Sequence, residues 1–196
     1  MIFATNNNNK LKQIRALAGK KFKIFSLKDK HIDIDVEETG KTLEENAILK
    51  AKTIFDMLDE KECVMADDAG LFIDFFDGWP GVYTKRFLKD STTEERNEAI
   101  LEKMANVDDS LRGASMKCCL AFVDKNGKIS TFEGVVRCKI AYSPCGDNLF
   151  GFDPIVVVRD NKTLAEFSDD DKVQFNHRSV AFKKFLDSVV DFESLD

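Results

Sequence analysis

Two histidines, three prolines, one tryptophan and two tyrosines are all that 196 residues contain of those types, and each scarcity removes a possibility. Only His31 and His177 could join the five cysteines (Cys63, Cys118, Cys119, Cys138 and Cys145) as metal ligands, and no C-x-x-C pair occurs, so a structural zinc site is not expected. The odd cysteine count fits buried or half-buried reduced thiols in a cytosolic protein better than a disulfide framework. None of Pro80, Pro144 and Pro154 sits in a long Gly/Ser-rich linker, and no repeat is visible. The chain is therefore expected to be a single domain over residues 1–196, with no separable linker. No apolar run approaches the roughly 20 residues of a membrane helix, and the polar residues after Ala4 do not suit a signal peptide. There is no G-x-S-x-G elbow for a nucleophilic serine, and the glycines of a Walker A loop are missing. Positive charge is not in excess either: the net charge is −6, which argues against a nucleic-acid partner. The expectation is a soluble cytoplasmic protein with no membrane or nucleic-acid partner. A few lysines in a cleft could still bind a small anion.

What is present is an ordinary globular balance, 43% hydrophobic and 33% charged, with enough length for a sizeable core. "MIFAT" reads as a short buried strand. From Lys10, Leu11, Ile14, Leu17 and Ala18 recur at helical spacing. "FKIFSL" and the alternating "HIDIDV" read as further strands. Thr42 with Glu45, and Thr92 with Glu95, have capping-box spacing. The first opens a helix whose apolar stripe is Leu43, Ala47, Ala51, Ile54, Phe55 and Leu58. "CVMA" reads as a short strand ending at Asp67-Asp68. Residues 115–124 and 128–140 form two strands about Asn126-Gly127, and a final helix carries Val180, Ala181, Phe185 and Val189 inward. The class is mixed α/β with a partly antiparallel sheet.

Four clusters could carry chemistry. In "ATNNNNK", a strand, a polar turn and a helix start point backbone N–H groups toward an anion, with Lys10 as a point charge; a solvated turn is the plain alternative. In "EETGKTLEENAILKA", residues 37–51, Asn46 and Lys50 share a helix face away from the apolar stripe. That face is either solvated or set over a phosphate, with Glu38 near a metal. In "ADDAGLFID", successive side chains alternate, so one carboxylate at most faces a given cleft. Adjacent acids after an apolar strand suit Mg²⁺, although an Asx turn before Gly70 would use the same residues. "FGFDP" at 150–154 sets Phe150 and Phe152 beside a glycine, where an aromatic ring can stack on a base, and "NHR" places His177 and Arg178 at a helix start.

Taken in order along nearly the whole chain, these blocks resemble the inosine triphosphate pyrophosphatase family. Thr5, Asn7 and Lys10 match its opening Thr/Ser-x-Asn-x-x-Lys. Glu37 to Ala51 match Glu-Glu-Thr-Gly-x-Thr-x-x-Glu-Asn-Ala-x-x-Lys-Ala at every specified position, and "ADDAGL", "PGVYT", "FGFDPI" and "NHR" follow. Ala69, Phe152 and Asn176 stand where the family pattern has serine, tyrosine and serine. The resemblance implies an elongated, mixed, partly antiparallel central sheet flanked by helices, in two lobes with the active-site cleft between them. It implies Mg²⁺-dependent hydrolysis of ITP, dITP or XTP to monophosphate and pyrophosphate, with Mn²⁺ a possible substitute, and a homodimer. Asp68 is then the catalytic base, Glu38 and Asp68 hold metal, and Asp67 supports. Thr5, Asn7, Lys10, Lys50, Ala69, Phe150, Gly151, Phe152, Asp153, Lys172, His177 and Arg178 bind substrate. Donors from Arg178, His177 or Lys172 against the 6-keto oxygen would reject adenine, with Phe150 stacked on the ring. Two other readings remain: a silent nucleotide-binding module, and a pyrophosphatase for pyrimidine or other modified nucleotides. Phe75, Phe76 and Trp79 are expected either at a dimer interface or in the core beneath their loop.

Overall fold

The computed structural model describes residues 1–84, 86–88, 91–147 and 150–189. In chain order the main elements are β1 (Ile2–Phe3), α1 (Asn8–Ala18), β2 (Phe25–Ser26), α2 (Leu43–Met57), β3 (Val64–Ile73), β4 (Trp79–Pro80) and α3 (Thr93–Lys103). They continue with β5 (Gly113–Val123), β6 (Ile129–Ile140), β7 (Val156–Arg159), β8 (Lys162–Thr163), α4 (Asp169–Lys172) and α5 (His177–Val189). The strands form one mixed sheet in the order β2-β1-β3-β5-β6-β7-β8, with β4 pairing β3. β1 is parallel to β2 and to β3, whereas β3–β4, β6–β7 and β7–β8 are antiparallel. Mixed α/β with a partly antiparallel sheet and flanking helices is therefore the architecture.

Contacts divide the chain into two compact units, each assembled from discontinuous segments, so no single cut separates them. The first comprises residues 1–68, 118–134 and 178–196. Its core gathers Ile2, Phe3, Ile14, Ile54 and Met65, all fully buried. Phe185 of α5 centres an aromatic group there, with Phe22, Phe122, Phe132 and Phe182 within 5.1–5.8 Å between ring centroids. The second unit comprises residues 69–117 and 135–177, and packs Leu71, Ile73, Ile100, Met104, Ile140 and Ile155 together. Phe76 and Trp79 are half-buried against that cluster while Phe75 stays exposed, so two of the three aromatics serve the core.

Several local expectations need correcting. β3 does not stop at the acids: it runs ten residues, through "ADDAGLFI", because Asp67 and Asp68 both find partners inside the protein. "HIDIDV" alternates in burial but belongs to no strand, and the Ile34 carbonyl accepts instead from Asn6 Nδ2 at 3.1 Å. Thr92 and Glu95 make a full capping box. At Thr42 only half of one forms: its Oγ1 accepts from Glu45 N–H, while the Glu45 carboxylate takes the N–H of Lys41 at 2.6 Å. Cys145 is exposed, against four buried thiols, and none is bonded to another. No helix among the described residues is long and apolar enough to cross a membrane.

Candidate active site

The asparagine run is the start of a helix. Asn7 caps α1 from extended backbone, its Oδ1 accepting the N–H groups of Asn9 (3.0 Å) and Lys10 (3.1 Å). Thr5 Oγ1 accepts in turn from Asn7 N–H at 3.1 Å. Two of the helix's first donors are thus held by Asn7 itself, in a turn that is otherwise exposed. The helix that follows carries Lys10 onto the sheet.

β3 then sorts its two acids by the alternation of a strand. Asp67 points to the side covered by α1 and α5. Its carboxylate takes Lys10 Nζ at 3.0 Å and Arg178 Nη2 and Nε at 2.9 and 3.1 Å, and Cys118 Sγ lies 3.9 Å away. Arg178 also donates through Nη1 to Gln13. Burial would raise the Asp67 carboxyl, but the Lys10 and Arg178 charges overcome it and hold the group well below the usual carboxylate range.

Asp68 points to the side of α2. Asn46 Nδ2 donates to its Oδ2 at 2.9 Å, and Lys50 Nζ lies 3.7 Å from Oδ1 while bonding Glu38 Oε1 at 2.7 Å. Burial raises the Asp68 carboxyl above its ordinary value; Lys50 and Asn46 pull against that, and Glu38 adds to it. Burial also acts to lower the Lys50 ammonium, yet the surrounding carboxylates raise it overall, so it stays charged. The face holding Asn46 and Lys50 is not solvated: Asn46 is fully buried, and its Oδ1 accepts Gly40 N–H at 2.7 Å, which folds the preceding loop onto the helix.

The two sides differ in charge. Among the described residues, two cations meet one carboxylate at Asp67, a local positive surplus, and one cation meets two carboxylates at Asp68, a local negative one. A positive surplus suits phosphate, and paired carboxylates suit Mg²⁺, which completes its shell with water and phosphate oxygens. No larger group of three or more His, Cys, Asp or Glu stands ready for a metal among the described residues.

The remaining sequence-derived residues lie in the second unit, except for Arg178. The turn from Phe150 to Asp153 closes through Asp153 N–H to the Phe150 carbonyl at 3.0 Å, with Gly151 at φ +58°. Asp153 accepts from Lys172 Nζ at 2.7 Å, both side chains being largely buried. Phe150 is half-buried, whereas Phe152 packs on the hydrophobic cluster, which explains why a hydroxyl-free ring suits it. His177 begins α5 and is buried, and Ala69 is half-buried in β3. The first unit thus brings together Thr5, Asn7, Lys10, Asp67 and Arg178, and on the other side of β3 Glu38, Lys50 and Asp68. The second brings together Phe150, Gly151, Asp153 and Lys172.

Sequence reasoning set Asn46 on a helix face beside Lys50, but passed over Gln13 and Asn97 as site-supporting residues. For Asn46 a signal existed: an uncharged amide directly before Ala47 of the buried stripe, four residues before Lys50. Gln13 and Asn97 carry no such mark.

A family model described as the Ham1 family matches residues 1–188. A dITP/XTP pyrophosphatase of Bacillus subtilis (strain 168) is 37% identical over 93% of each chain, and one of Clostridium perfringens (strain 13 / Type A) is 38% identical over 96% of each. Among solved structures, the Staphylococcus aureus Ham1 protein superposes with a TM-score of 0.85 at 32% identity, covering 98% of both chains. A HAM1 protein from Coxiella burnetii gives 0.86 at 32% identity, covering 97% of this chain and 98% of its own.

Proposed function

Because the chain belongs to the Ham1 family, we propose that it hydrolyses deaminated purine nucleoside triphosphates, of the dITP and XTP kind, to monophosphate and pyrophosphate, and so cleans the nucleotide pool. The observation that carries this reading is the division of charge about β3, a cationic surplus at Lys10, Asp67 and Arg178 and an anionic one at Glu38, Lys50 and Asp68.

Phosphoryl transfer asks a protein mainly for positioning and electrostatics. Lys10 and Arg178 supply positive charge for the triphosphate from fixed positions, since Asp67 holds both. Thr5 and Asn7 shape the turn leading into Lys10. Glu38 and Asp68 would hold a divalent metal, Mg²⁺ with Mn²⁺ as substitute, and such an ion neutralises phosphate charge when bound. Burial raises the Asp68 carboxyl, so its carboxylate is a stronger base than usual and the candidate acceptor for the proton of attacking water. Asn46 fixes one Asp68 oxygen and Lys50 balances the charge that remains.

For the base, Lys172 held by Asp153 is the leading donor to a 6-keto oxygen, because the Arg178 guanidinium is engaged by Asp67 and Gln13. His177 remains a second donor, with Phe150 as the stacking ring and Gly151 and Ala69 lending backbone. Adenine presents an amino group there and would leave the donor unpaired. A cytoplasmic homodimer belongs to the same proposal, with exposed Phe75 and Tyr83 of the second unit as candidate contacts. Phosphorus NMR of an ITP reaction tests the chemistry: pyrophosphate with IMP is expected, whereas orthophosphate with IDP would refute it.

A further inference from the structure

Asn97 lies on α3, 4% exposed, and donates from Nδ2 to the Gly151 carbonyl at 3.0 Å. Its Oδ1 is buried and accepts no hydrogen bond among the described residues. That is a poor choice for folding alone, since a buried acceptor without a partner is destabilising and an apolar side chain of the same shape would avoid it. The amide is explained by what its other end holds.

That end is well anchored. Arg112, 1% exposed, donates Nη1 to the carbonyls of Met104 (2.7 Å) and Val107 (3.3 Å), where α3 finishes. Its Nε and Nη2 reach the carbonyls of Ile140 (2.8 Å) and Ala141 (2.6 Å), where β6 finishes. The guanidinium thereby ties the C-terminal end of α3 to the start of the segment leading to Phe150. That segment is closed at its neck by Cys145 N–H on the Pro154 carbonyl at 2.9 Å. Between these fixed points Gly151 has a positive φ and no atom within 4 Å of where a Cβ would stand, so at that residue the bond from Asn97, rather than side-chain packing, holds the turn.

We propose that Asn97 is a positioning residue for base recognition: from a helix pinned by Arg112 it fixes the Phe150–Asp153 turn through the Gly151 carbonyl. It thereby sets where Phe150, and Lys172 through Asp153, meet the nucleotide base. The inference rests on the function proposed above and deepens it by naming a determinant of base selection outside the motif residues.

The test compares wild type with Asn97→Leu, which keeps the shape and removes both the donor and the orphan acceptor. Pyrophosphate release gives kcat and KM for ITP and ATP, and a melting curve reports the fold. The expected result is a KM for ITP raised about three- to tenfold, the worth of one hydrogen bond. The kcat should change by less than about twofold, the preference for ITP over ATP should fall by a factor similar to the KM change, and the Tm should be unchanged or higher. Unchanged KM and preference would overturn the proposal, as would equal losses on both nucleotides with a lowered Tm. If Asn97→Leu does not fold, Asn97→Ala carries the same comparison. If wild type turns over neither nucleotide, the proposed function has failed separately. Calorimetric binding of ITP then decides: several-fold weaker binding by the variant upholds the positioning role, and equal or absent binding by both overturns it.

Discussion

Asp67 and Asp68 are adjacent, chemically identical and nearly equally buried, yet they are opposites in charge environment. Two cations hold Asp67 ionised, while burial favours the protonated form of Asp68. Substitution should separate them. Asp68→Asn keeps the size and can keep a contact with Asn46, so a fold close to wild type is expected, with kcat lowered by about 10²–10⁴ as for loss of a general base. Steady-state kinetics beside a melting curve checks this, and retained turnover would move the base elsewhere. Asp67→Asn leaves Lys10 and Arg178 facing each other without their shared anion. Removing one side of a buried ion pair costs about 3–5 kcal/mol, so urea denaturation should show a large loss of stability whatever happens to activity. Such a pair of results would assign the two carboxylates their roles.

At the scale of the element, β3 is where the site is organised, and there the sequence was read only in part. Asp-Asp followed by Ala-Gly looks like the end of a strand, because unpaired acids and glycine usually mark one. The acids are paired across the fold, however, with residues 57 and 111 positions away in the case of Lys10 and Arg178. Gly70 is there for close approach: a Cβ would stand 2.4 Å from the Gly81 carbonyl. Gly70→Ala is therefore expected to destabilise by about 1–3 kcal/mol through forced movement of backbone, measurable by denaturant titration. Signals that act within a few residues were readable: the Asn7 turn before α1, the Thr92 capping box, the hairpin at Asn126-Gly127, the stripe of α2. The alternation of Ile32, Ile34 and Val36 was readable too, but alternation reports which side chains are covered, not whether the backbone has a ladder partner. The residues proposed for metal and phosphate came from motif order, and Asn46 came with them. Asn97 and Arg112 did not, since their meaning depends on carbonyls brought close only by folding.

For the whole molecule, net charge says little and local surplus says much. A chain of charge −6 still concentrates positive charge at Lys10 and Arg178, where the proposed function sets the phosphates of the substrate. The same concentration links stability to pH. The depressed folded pKa of Asp67 contributes stability that is fully present above its unfolded value of about 3.9 and is lost as pH falls toward the folded one. Urea unfolding at pH 7 and pH 3 should therefore show wild type losing more stability on acidification than Asp67→Asn, and equal losses would contradict the pairing. Light scattering is expected to find a dimer, and a monomer at high concentration would remove that part of the proposal. The central claim is the activity itself. Pyrophosphate release from ITP, dITP, XTP, GTP, ATP and dUTP, with Mg²⁺ and again with EDTA, tests it most directly. The account predicts fast, metal-dependent release from the inosine and xanthosine nucleotides and little from the other three. Release from none of the six, with ITP still bound tightly, would contradict it.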